Sequence, residues 1–332
     1  MIRVDEATVV LGIESSCDET AAAVVMGGND VLSSVVATQI EQHARFGGVV
    51  PEIASRAHVE AMTPVIRKAI QDSGVGFERI DAVAATVGPG LVGALLVGVS
   101  TAKSIALALN KPFIGVNHLE AHLYAALLDD PHVEFPMLVV LVSGGNTLLV
   151  NMESHGKYSI VGQTIDDAAG EAFDKVGRML KLPYPGGPEI EKHAREGNPK
   201  SFIFPRAHLK DAPFDFSFSG LKTAVLYQLQ KLDDPQAHLA DLCASFQDAV
   251  IDALVKKTIK AALQTGHTLI ALSGGVACNR ALQEALTCAA QNAGMKVQPT
   301  PPALTTDNAG MIALAALLAS ENRPSDSLEI GI

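Results

Sequence analysis

Two histidines stand four residues apart in the segment N-H-L-E-A-H-L-Y-A-A-L-L, residues 117–128. On a helix, residues i and i+4 lie on the same face, so His118 and His122 can bind one metal ion. Imidazole nitrogens are ligands that suit Zn²⁺ and Fe²⁺. Two ligands are too few, so a third must come from elsewhere in the chain. Two hydrogen-bonded histidines at the start of a helix would explain the same spacing without a metal.

The segment lacks the general base of a zinc protease. The H-E-x-x-H pattern places a glutamate directly after the first histidine, beside a metal-bound water. Here Leu119 occupies that position, and Glu120 follows it about 200° around the helix from His118. The glutamate therefore points away from a metal held by the histidines. A metal site in this segment predicts a role other than peptide hydrolysis.

Glycine-containing turns follow three predicted strands. They are G-P-G-L-V-G (88–93), L-V-S-G-G-N-T (141–147) and L-S-G-G-V-A-C-N-R (272–280). Glycine lets backbone N–H groups approach a phosphate or adenylate closely, and the third turn opens into a predicted helix, whose start favours anions. A tight turn alone would explain one such loop, whereas three favour a nucleotide site. The sequence contains no G-x-x-x-x-G-K-[ST] motif, which argues against a P-loop enzyme.

A further turn, E-S-S-C-D-E-T (14–20), groups three carboxylates with three hydroxyls. Its acidic residues face either solvent or a functional cleft. Aliphatic strands are predicted on both sides of it, at Thr8–Ile13 and Ala21–Met26. The same strand–turn–strand pattern recurs at Pro136–Val142 and Leu148–Met152, around the S-G-G-N-T turn. Strands that alternate with helices indicate an α/β protein, and the repeated pattern predicts an internal duplication.

Composition supports this architecture. The chain has 332 residues, of which 48% are hydrophobic and 18% are charged, with a net charge of −11. The length suits two domains or one split α/β unit, with a large core, and the acidic balance predicts that any RNA site is local or shared with a partner. Segment 175–210 is the candidate, although a solvated surface would look the same. Its basic residues are Lys175, Arg178, Lys181, Lys192, Arg195, Lys200, Arg206 and Lys210.

Cysteine spacing and apolar runs bear on location. The four cysteines form no C-x-x-C pair, as is usual in a reduced, cytoplasmic protein. No signal peptide is visible, because Asp5 and Glu6 lie near the start. The longest apolar run, Leu91 to Leu109, also holds Lys103 and several hydroxyls, which favours a buried core helix over a membrane span.

Ten motifs occur in order along the chain. They are G-I-E-S-S-C-D-E-T, G-G-V-V-P-E-I-A-S-R-x-H, G-P-G-L-V-G-x-L-L-V-G, H-x-x-x-H, L-V-S-G-G-x-T, D-D-A-A-G-E-A-F-D-K, Y-P-G-G-P, F-D-F-S-F-S-G-L-K-T, G-G-V-x-x-N-R and T-D-N-x-x-M-I-A. In these motifs the sequence resembles the bacterial TsaD family, the tRNA N6-adenosine threonylcarbamoyltransferases, formerly described as O-sialoglycoprotein endopeptidases. The resemblance covers nearly the whole chain. One departure is Asn146, where the family often has histidine.

The resemblance implies a fold and an activity. The fold is the two-lobed actin/Hsp70/sugar-kinase-like (ASKHA) fold, with duplicated RNase H-like domains around a nucleotide cleft. Residues 1–130 and 304–332 would form the N-terminal lobe, and residues 131–303 the C-terminal lobe. The activity is transfer of a threonylcarbamoyl group from threonylcarbamoyl-adenylate to N6 of adenosine 37, in tRNAs that read ANN codons (t6A biosynthesis). The rival interpretations are a metalloprotease, a kinase-like ATPase and a non-catalytic scaffold.

The resemblance also implies site residues and partners. His118, His122 and Asp307 would bind one divalent metal, Fe²⁺ in first place or Zn²⁺, and Asp18 and Glu19 would be catalytic. The substrate-binding positions would be Leu141, Val142, Ser143, Gly144, Gly145, Asp174, Gly187, Glu191 and Asn279. Expected partners are tRNA, threonylcarbamoyl-adenylate, a small TsaE-like ATPase, and a paralogous TsaB-like subunit that binds the N-terminal lobe.

Overall fold

The structure, a computed structural model, describes residues 5–27, 30–128 and 134–320. It divides the chain into two compact units, Met1–Val133 with Thr300–Ile332, and Glu134–Pro299. They are called unit 1 and unit 2 below. The domain boundary predicted between residues 130 and 131 lies outside the described residues, as does the end of the chain after residue 320.

Strands and helices alternate along most of the described chain. The strands are β1 (Val9–Glu14), β2 (Glu19–Met26), β3 (Asp30–Thr38), β4 (Ala82–Gly88), β5 (Phe113–Asn117), β6 (Met137–Val142), β7 (Thr147–Ser154), β8 (Lys157–Gln163), β9 (Leu269–Ser273) and β10 (Lys296–Pro299). The helices are α1 (Ile40–Ala44), α2 (Pro51–Ser73), α3 (Val92–Leu109), α4 (His118–Ala125), α5 (Ala169–Met179), α6 (Gly186–Ala194), α7 (Ser219–Leu229), α8 (Leu239–Thr265), α9 (Arg280–Asn292), α10 (Pro302–Thr305) and α11 (Ala309–Ser320).

The two units share one sheet topology. In unit 1 the strand order is β3-β2-β1-β4-β5, and in unit 2 it is β10-β9-β6-β7-β8. The first three strands of each unit are antiparallel, and the last two run parallel to the first. Read in reverse, the order in unit 2 is β8-β7-β6-β9-β10, in which each strand takes the place of its counterpart in unit 1. The predicted α/β class and internal duplication are therefore confirmed.

A close approach between α11 and β1 organises unit 1. Every residue of β1 is buried, and α11 packs against this strand. A Cβ atom at Gly12 would lie 2.3 Å from the carbonyl oxygen of Ala309, so only glycine fits between β1 and the first turn of α11. The residues just before α11 therefore lie beside the end of β1.

The apolar composition of α3 predicts a buried core helix. For most of the helix surface this prediction is wrong. Only 22% of its residues are buried. One face packs on β4 and α2, whereas Val92, Leu96 and Leu107 are exposed. By length and apolar composition this helix also meets the minimum for a membrane span, which for one helix is weak evidence.

Candidate metal centre and substrate-binding residues

The two histidines lie at the start of α4, directly after β5. Asn117 ends the strand, and its side-chain oxygen accepts hydrogen bonds from the backbone N–H groups of Leu119 and Glu120. This N-cap begins the helix at His118, so both imidazoles lie on its first turns. His118 and His122 are buried, and their rings meet edge to face with centroids 4.7 Å apart.

Asp307 is held by the turn between α10 and α11. The next residue, Asn308, is fully buried. Its Oδ1 caps α11 by accepting from Met311 N, and its Nδ2 donates to the carbonyls of Leu304 and Thr306. Asn308 is thus a positioning residue that the sequence interpretation did not single out, although an Asn before an apolar helix is a usual N-cap signal. Helix α11 begins at Ala309, directly after this cap.

The three predicted metal ligands converge. Asp307 Oδ1 lies 3.1 Å from His122 Nε2 and 3.6 Å from His118 Nε2. Each of the three side chains offers one ligand atom, and these atoms lie within 4.8 Å of one another. Among the described residues, this is the cluster of His, Cys, Asp or Glu side chains that could hold a metal ion. Asp307 lies 185 residues after His122, so only the tertiary fold brings them together.

The donor set fits a divalent cation. Ligand atoms about 2.1 Å from one ion lie roughly 3.0–3.5 Å apart in tetrahedral or octahedral geometry, close to the two separations seen here. Two imidazole nitrogens and one carboxylate also suit Zn²⁺ or Fe²⁺ and leave further coordination positions open. Glu120 is buried but is not one of the three grouped side chains, in agreement with its predicted direction away from the metal.

The charges in this cluster depend on one another. Burial lowers the pKa of His118, but the carboxylates of Glu14 and Asp307 outweigh it and raise that pKa to about 9. Burial raises the pKa of Asp307, but His118 and His122 outweigh it and lower that pKa to about 2. In the absence of a metal, a proton therefore supplies the positive charge that these two carboxylates require.

The acidic turn after β1 carries the predicted catalytic residues, Asp18 and Glu19. Burial, with the nearby carboxylates of Asp18 and Asp307, raises the pKa of Glu19 to about 9. The turn is anchored from α2 by His58, which is fully buried. Its Nε2 donates to the Cys17 carbonyl at 3.0 Å, and its Nδ1 accepts from Thr20 Oγ1 at 2.7 Å. His58 appeared in a quoted motif, but the sequence did not reveal its role in holding this turn.

In unit 2, the two S-G-G turns lie side by side. β6 and β9 are parallel neighbours, with Leu141 opposite Ser273, so both strands end at the same edge of the sheet. Gly274 has φ +92°, and a Cβ there would lie 2.5 Å from the Val142 carbonyl oxygen. At the first turn, Gly144 and Gly145 are exposed, which leaves their backbone accessible.

A series of hydrogen bonds connects these turns to the other predicted substrate-binding residues. Gly170 N, at the start of α5, donates to the Ser143 carbonyl. Asp174 on α5 accepts from Gly186 N, next to Gly187 at the start of α6. Glu191 on α6 accepts from Arg280 N, next to Asn279.

Both polar atoms of the Asn279 side chain form hydrogen bonds within the protein. Its Oδ1 caps α9 by accepting from Leu282 N, and its Nδ2 donates to Gln247 Oε1. The side chain is buried. The residue therefore organises the backbone of the G-G-V-A-C-N turn at the start of α9.

The basic segment 175–210 is partly neutralised. Lys175 pairs with Asp167 and Glu171, Arg195 with Glu191, and Arg206 with Asp248 and Asp252. Lys192 and Lys200 are exposed, and no ion pair is described for either. Arg178, Lys181 and Lys210 are also exposed and take no part in the described ion pairs, so these five residues are the candidates for contact with a polyanion.

Solved structures share this fold, a duplicated α/β unit of the ASKHA class. Full-length HypF, in its phosphate- and nucleotide-bound form, has a TM-score of 0.65 at 13% identity, over 97% of this chain and 47% of that chain. Component A of (R)-2-hydroxyglutaryl-CoA dehydratase from Acidaminococcus fermentans has a TM-score of 0.57 at 15% identity, over 95% of this chain and 100% of that chain. At these identities the similarity shows the fold alone.

Sequence comparison shows the family. The model for TsaD, tRNA N6-adenosine threonylcarbamoyltransferase, matches residues 30–314. Proteins of that name from Symbiobacterium thermophilum and Anaeromyxobacter dehalogenans are 57% and 55% identical. The first alignment covers 92% of this chain and 90% of that protein, and the second 96% and 97%. The chain belongs to the tRNA N6-adenosine threonylcarbamoyltransferase family, and the family resemblance noted in the sequence is confirmed.

The stability of the metal-free protein should depend on pH through His118. An unfolded imidazole titrates near ~6.5, and that of folded His118 at about 9. The stabilisation is fully present below the unfolded pKa and is lost as pH rises through the folded one. We expect the free energy of unfolding in urea, with a chelator present, to fall from about pH 7 to about pH 9.5.

The matched variants are His118→Gln and His208→Gln, the second at an exposed histidine in unit 2. The first should flatten the dependence on pH, and the second should leave it as in the wild type. Equal slopes for the wild type and His118→Gln would contradict the assignment.

Proposed function

We propose that this chain transfers a threonylcarbamoyl group from threonylcarbamoyl-adenylate to N6 of adenosine 37, in tRNAs that read ANN codons. Family membership supports the reaction class, and the convergence of His118, His122 and Asp307 is the observation that carries the proposal. The exocyclic amine of adenine is a poor nucleophile, so the acyl group must be activated, and an adenylate provides a good leaving group. A base in an anticodon loop can be splayed into a pocket without opening a helix.

The metal in this proposal is Fe²⁺ or Zn²⁺, with Fe²⁺ as the first choice. His118, His122 and Asp307 would hold it and leave coordination positions open. When bound, it would supply a Lewis acid that orients the substrate and stabilises charge at the reacting carbonyl. This role needs no glutamate beside the first histidine, which agrees with Leu119 at that position.

Unit 2 would bind the adenylate. The exposed backbone at Gly144 and Gly145 suits an anion, and Asp174 suits a ribose hydroxyl. Gly187 and Glu191 would complete this site at the start of α6. Asn279 would act through the turn that it organises, since its side-chain atoms already hold Leu282 and Gln247.

Asp18 and Glu19 would support the reaction from the acidic turn of unit 1. The raised pKa of Glu19, about 9, keeps this carboxyl protonated at neutral pH in the metal-free protein. A protonated carboxyl donates a hydrogen bond, whereas an ionised one only accepts. A cation bound nearby would oppose the carboxylate repulsion that raises this pKa, so its protonation would respond to the metal.

The metalloprotease alternative is disfavoured because Leu119 occupies the position of the glutamate in the H-E-x-x-H pattern. The proposed partners are tRNA, a small TsaE-like ATPase and a paralogous TsaB-like subunit. The family resemblance supports the TsaE-like ATPase. The exposed apolar side chains of α2 and α3 support the TsaB-like subunit. Val59 is 64% exposed, Val92 66% and Leu96 41%, on helices that approach closely at Ser55 and Gly93. The proposed location is the cytoplasm.

Replacement of a ligand tests the proposed function directly. His118→Ala should reduce the rate of threonylcarbamoyl transfer by about 100-fold or more, since it removes charge stabilisation at the reacting centre. The assay contains threonylcarbamoyl-adenylate, a tRNA that reads an ANN codon, and the partner proteins, and modified adenosine is measured by mass spectrometry. His208→Ala is the matched control. Full activity in His118→Ala would refute the metal role, and an inactive wild type under these conditions would refute the proposed reaction.

The exposed lysines of the basic segment test the tRNA surface. The double variant Lys192→Glu, Lys200→Glu should bind tRNA more weakly, and the slope of log affinity against log salt should fall by about 1 for each lost phosphate contact. The double variant Lys157→Glu, Lys231→Glu, at two exposed sites outside this segment, makes the same change in net charge and is the control. A double variant with the same slope as the control would place the tRNA elsewhere.

A charge on the apolar face tests the partner surface. Leu96→Glu should abolish the complex with the paralogous subunit, as measured by light scattering after gel filtration, because it buries an unpaired carboxylate in an apolar interface. Ile203→Glu places the same charge at a residue of unit 2 that is 94% exposed and should leave the complex intact. An intact complex in both variants would exclude this face.

A further inference from the structure

Glu14 is a fully buried carboxylate beside the candidate metal centre, and the proposed chemistry gives it no part. It is the last residue of β1 and has no exposed surface. Three donors meet it. Thr86 Oγ1 and His118 Nδ1 reach Oε2, the latter at 3.1 Å, and Ser16 N reaches Oε1. A buried carboxylate is tolerated only when its charge is compensated in this way.

These contacts determine which nitrogen of His118 carries a proton. An ionised carboxylate only accepts hydrogen bonds, so His118 Nδ1 must be the donor to Glu14. The second nitrogen, Nε2, faces Asp307 Oδ1 at 3.6 Å, which is beyond hydrogen-bond distance. In a neutral ring with its proton on Nδ1, Nε2 presents a lone pair to the place where the three ligands converge.

Ser16 does not make this choice by itself. Its Oγ lies 3.2 Å from the same His118 Nδ1, but a hydroxyl both donates and accepts and would tolerate either tautomer. His122 provides an internal comparison, since its Nδ1 is buried without a hydrogen-bond partner among the described residues. Asp307 contacts His122 at Nε2, the nitrogen on the side of the ligand cluster, so of the two histidines His118 is the one with a carboxylate on Nδ1.

We propose that Glu14 is a positioning residue that holds His118 in the Nδ1–H tautomer, so that Nε2 binds the metal. The inference rests on the proposed metal site. A carboxylate that accepts from the second nitrogen of a histidine ligand orients the ring and increases its basicity, and loss of such a partner typically weakens metal binding 10–100-fold. Glu14 thus connects the end of β1 to the metal through the first residue of α4.

Glu14→Gln changes the hydrogen bonding with little change in shape. If the amide nitrogen turns towards His118, it donates to Nδ1 and moves the ring proton to Nε2, which blocks metal binding. If the amide oxygen turns towards His118, the amide nitrogen faces the N–H of Ser16 and two donors oppose each other. Both orientations weaken the metal site.

The first experiment measures the affinity of the purified full-length protein for Zn²⁺ by competition with a chromophoric chelator. Glu14→Gln should bind Zn²⁺ about 10–100-fold more weakly than wild type. Glu60→Gln, the same change at an exposed position on α2, should bind as wild type does. Thr86→Val removes another donor to Glu14 Oε2 without touching the His118 proton, and it should change the affinity far less than Glu14→Gln.

The outcomes separate the inference from the metal site on which it rests. If the wild type does not bind Zn²⁺, the proposed metal site itself is refuted. Equal affinities for wild type and Glu14→Gln would overturn the role of Glu14 alone. Equal losses in Glu14→Gln and Thr86→Val, with equal losses of thermal stability, would reduce Glu14 to a structural role and overturn the inference.

A second measurement needs no variant at Glu14 and holds even if Glu14→Gln fails to fold. Long-range ¹H–¹⁵N spectra of the Zn²⁺-loaded wild type distinguish the two nitrogens of each imidazole, and the His118 signals are identified by their loss in His118→Gln. The expected state has the proton on Nδ1 and the metal on Nε2. A proton on Nε2 of metal-loaded His118 would overturn the proposal.

Discussion

Unit 1 depends on two carboxylates around one imidazole, the fully buried Glu14 and the partly buried Asp307. Neither carboxylate is stable in a low-dielectric interior unless positive charge or hydrogen-bond donors compensate it. His118 lies between them, with Nδ1 towards Glu14 and Nε2 towards Asp307. The end of β1, the start of α4 and the turn before α11 must therefore keep their positions together, because a shift of any one would leave a buried charge unpaired.

The duplicated sheet carries different chemistry in its two copies. The turn between the first two strands holds carboxylates and hydroxyls in unit 1 and the S-G-G sequence in unit 2. The strand that pairs in parallel with the first strand leads to the Gly88–Pro89–Gly90 turn in unit 1 and to the Gly274 turn in unit 2. One topology thus places one set of turns at a fixed sheet edge, and the residue types of these turns differ between the two units.

Much of the fold was predictable because its signals are local. Helix α2 begins at Pro51 and ends at Ser73, since proline suits the first helical turn and Gly74 provides a left-handed C-cap. β8 was not predicted, because it is mostly exposed and lacks the apolar alternation of a half-buried strand. α3 was predicted as a core helix because apolar composition does not reveal which face is covered.

The sequence by itself determined the histidine pair of the candidate metal centre, the glycine turns and the duplicated strand pattern, because these depend on spacing within a few residues. Family resemblance extended this to Asp307. The tertiary structure decided three contacts that spacing along the chain does not reveal. Asp307 Oδ1 lies near Nε2 of both His118 and His122, His58 anchors the acidic turn, and Glu14 faces His118 Nδ1. These contacts join residues 41 to 189 positions apart, and such long-range pairs are set by how charges and hydrogen bonds are satisfied when β1, α4 and α11 pack together.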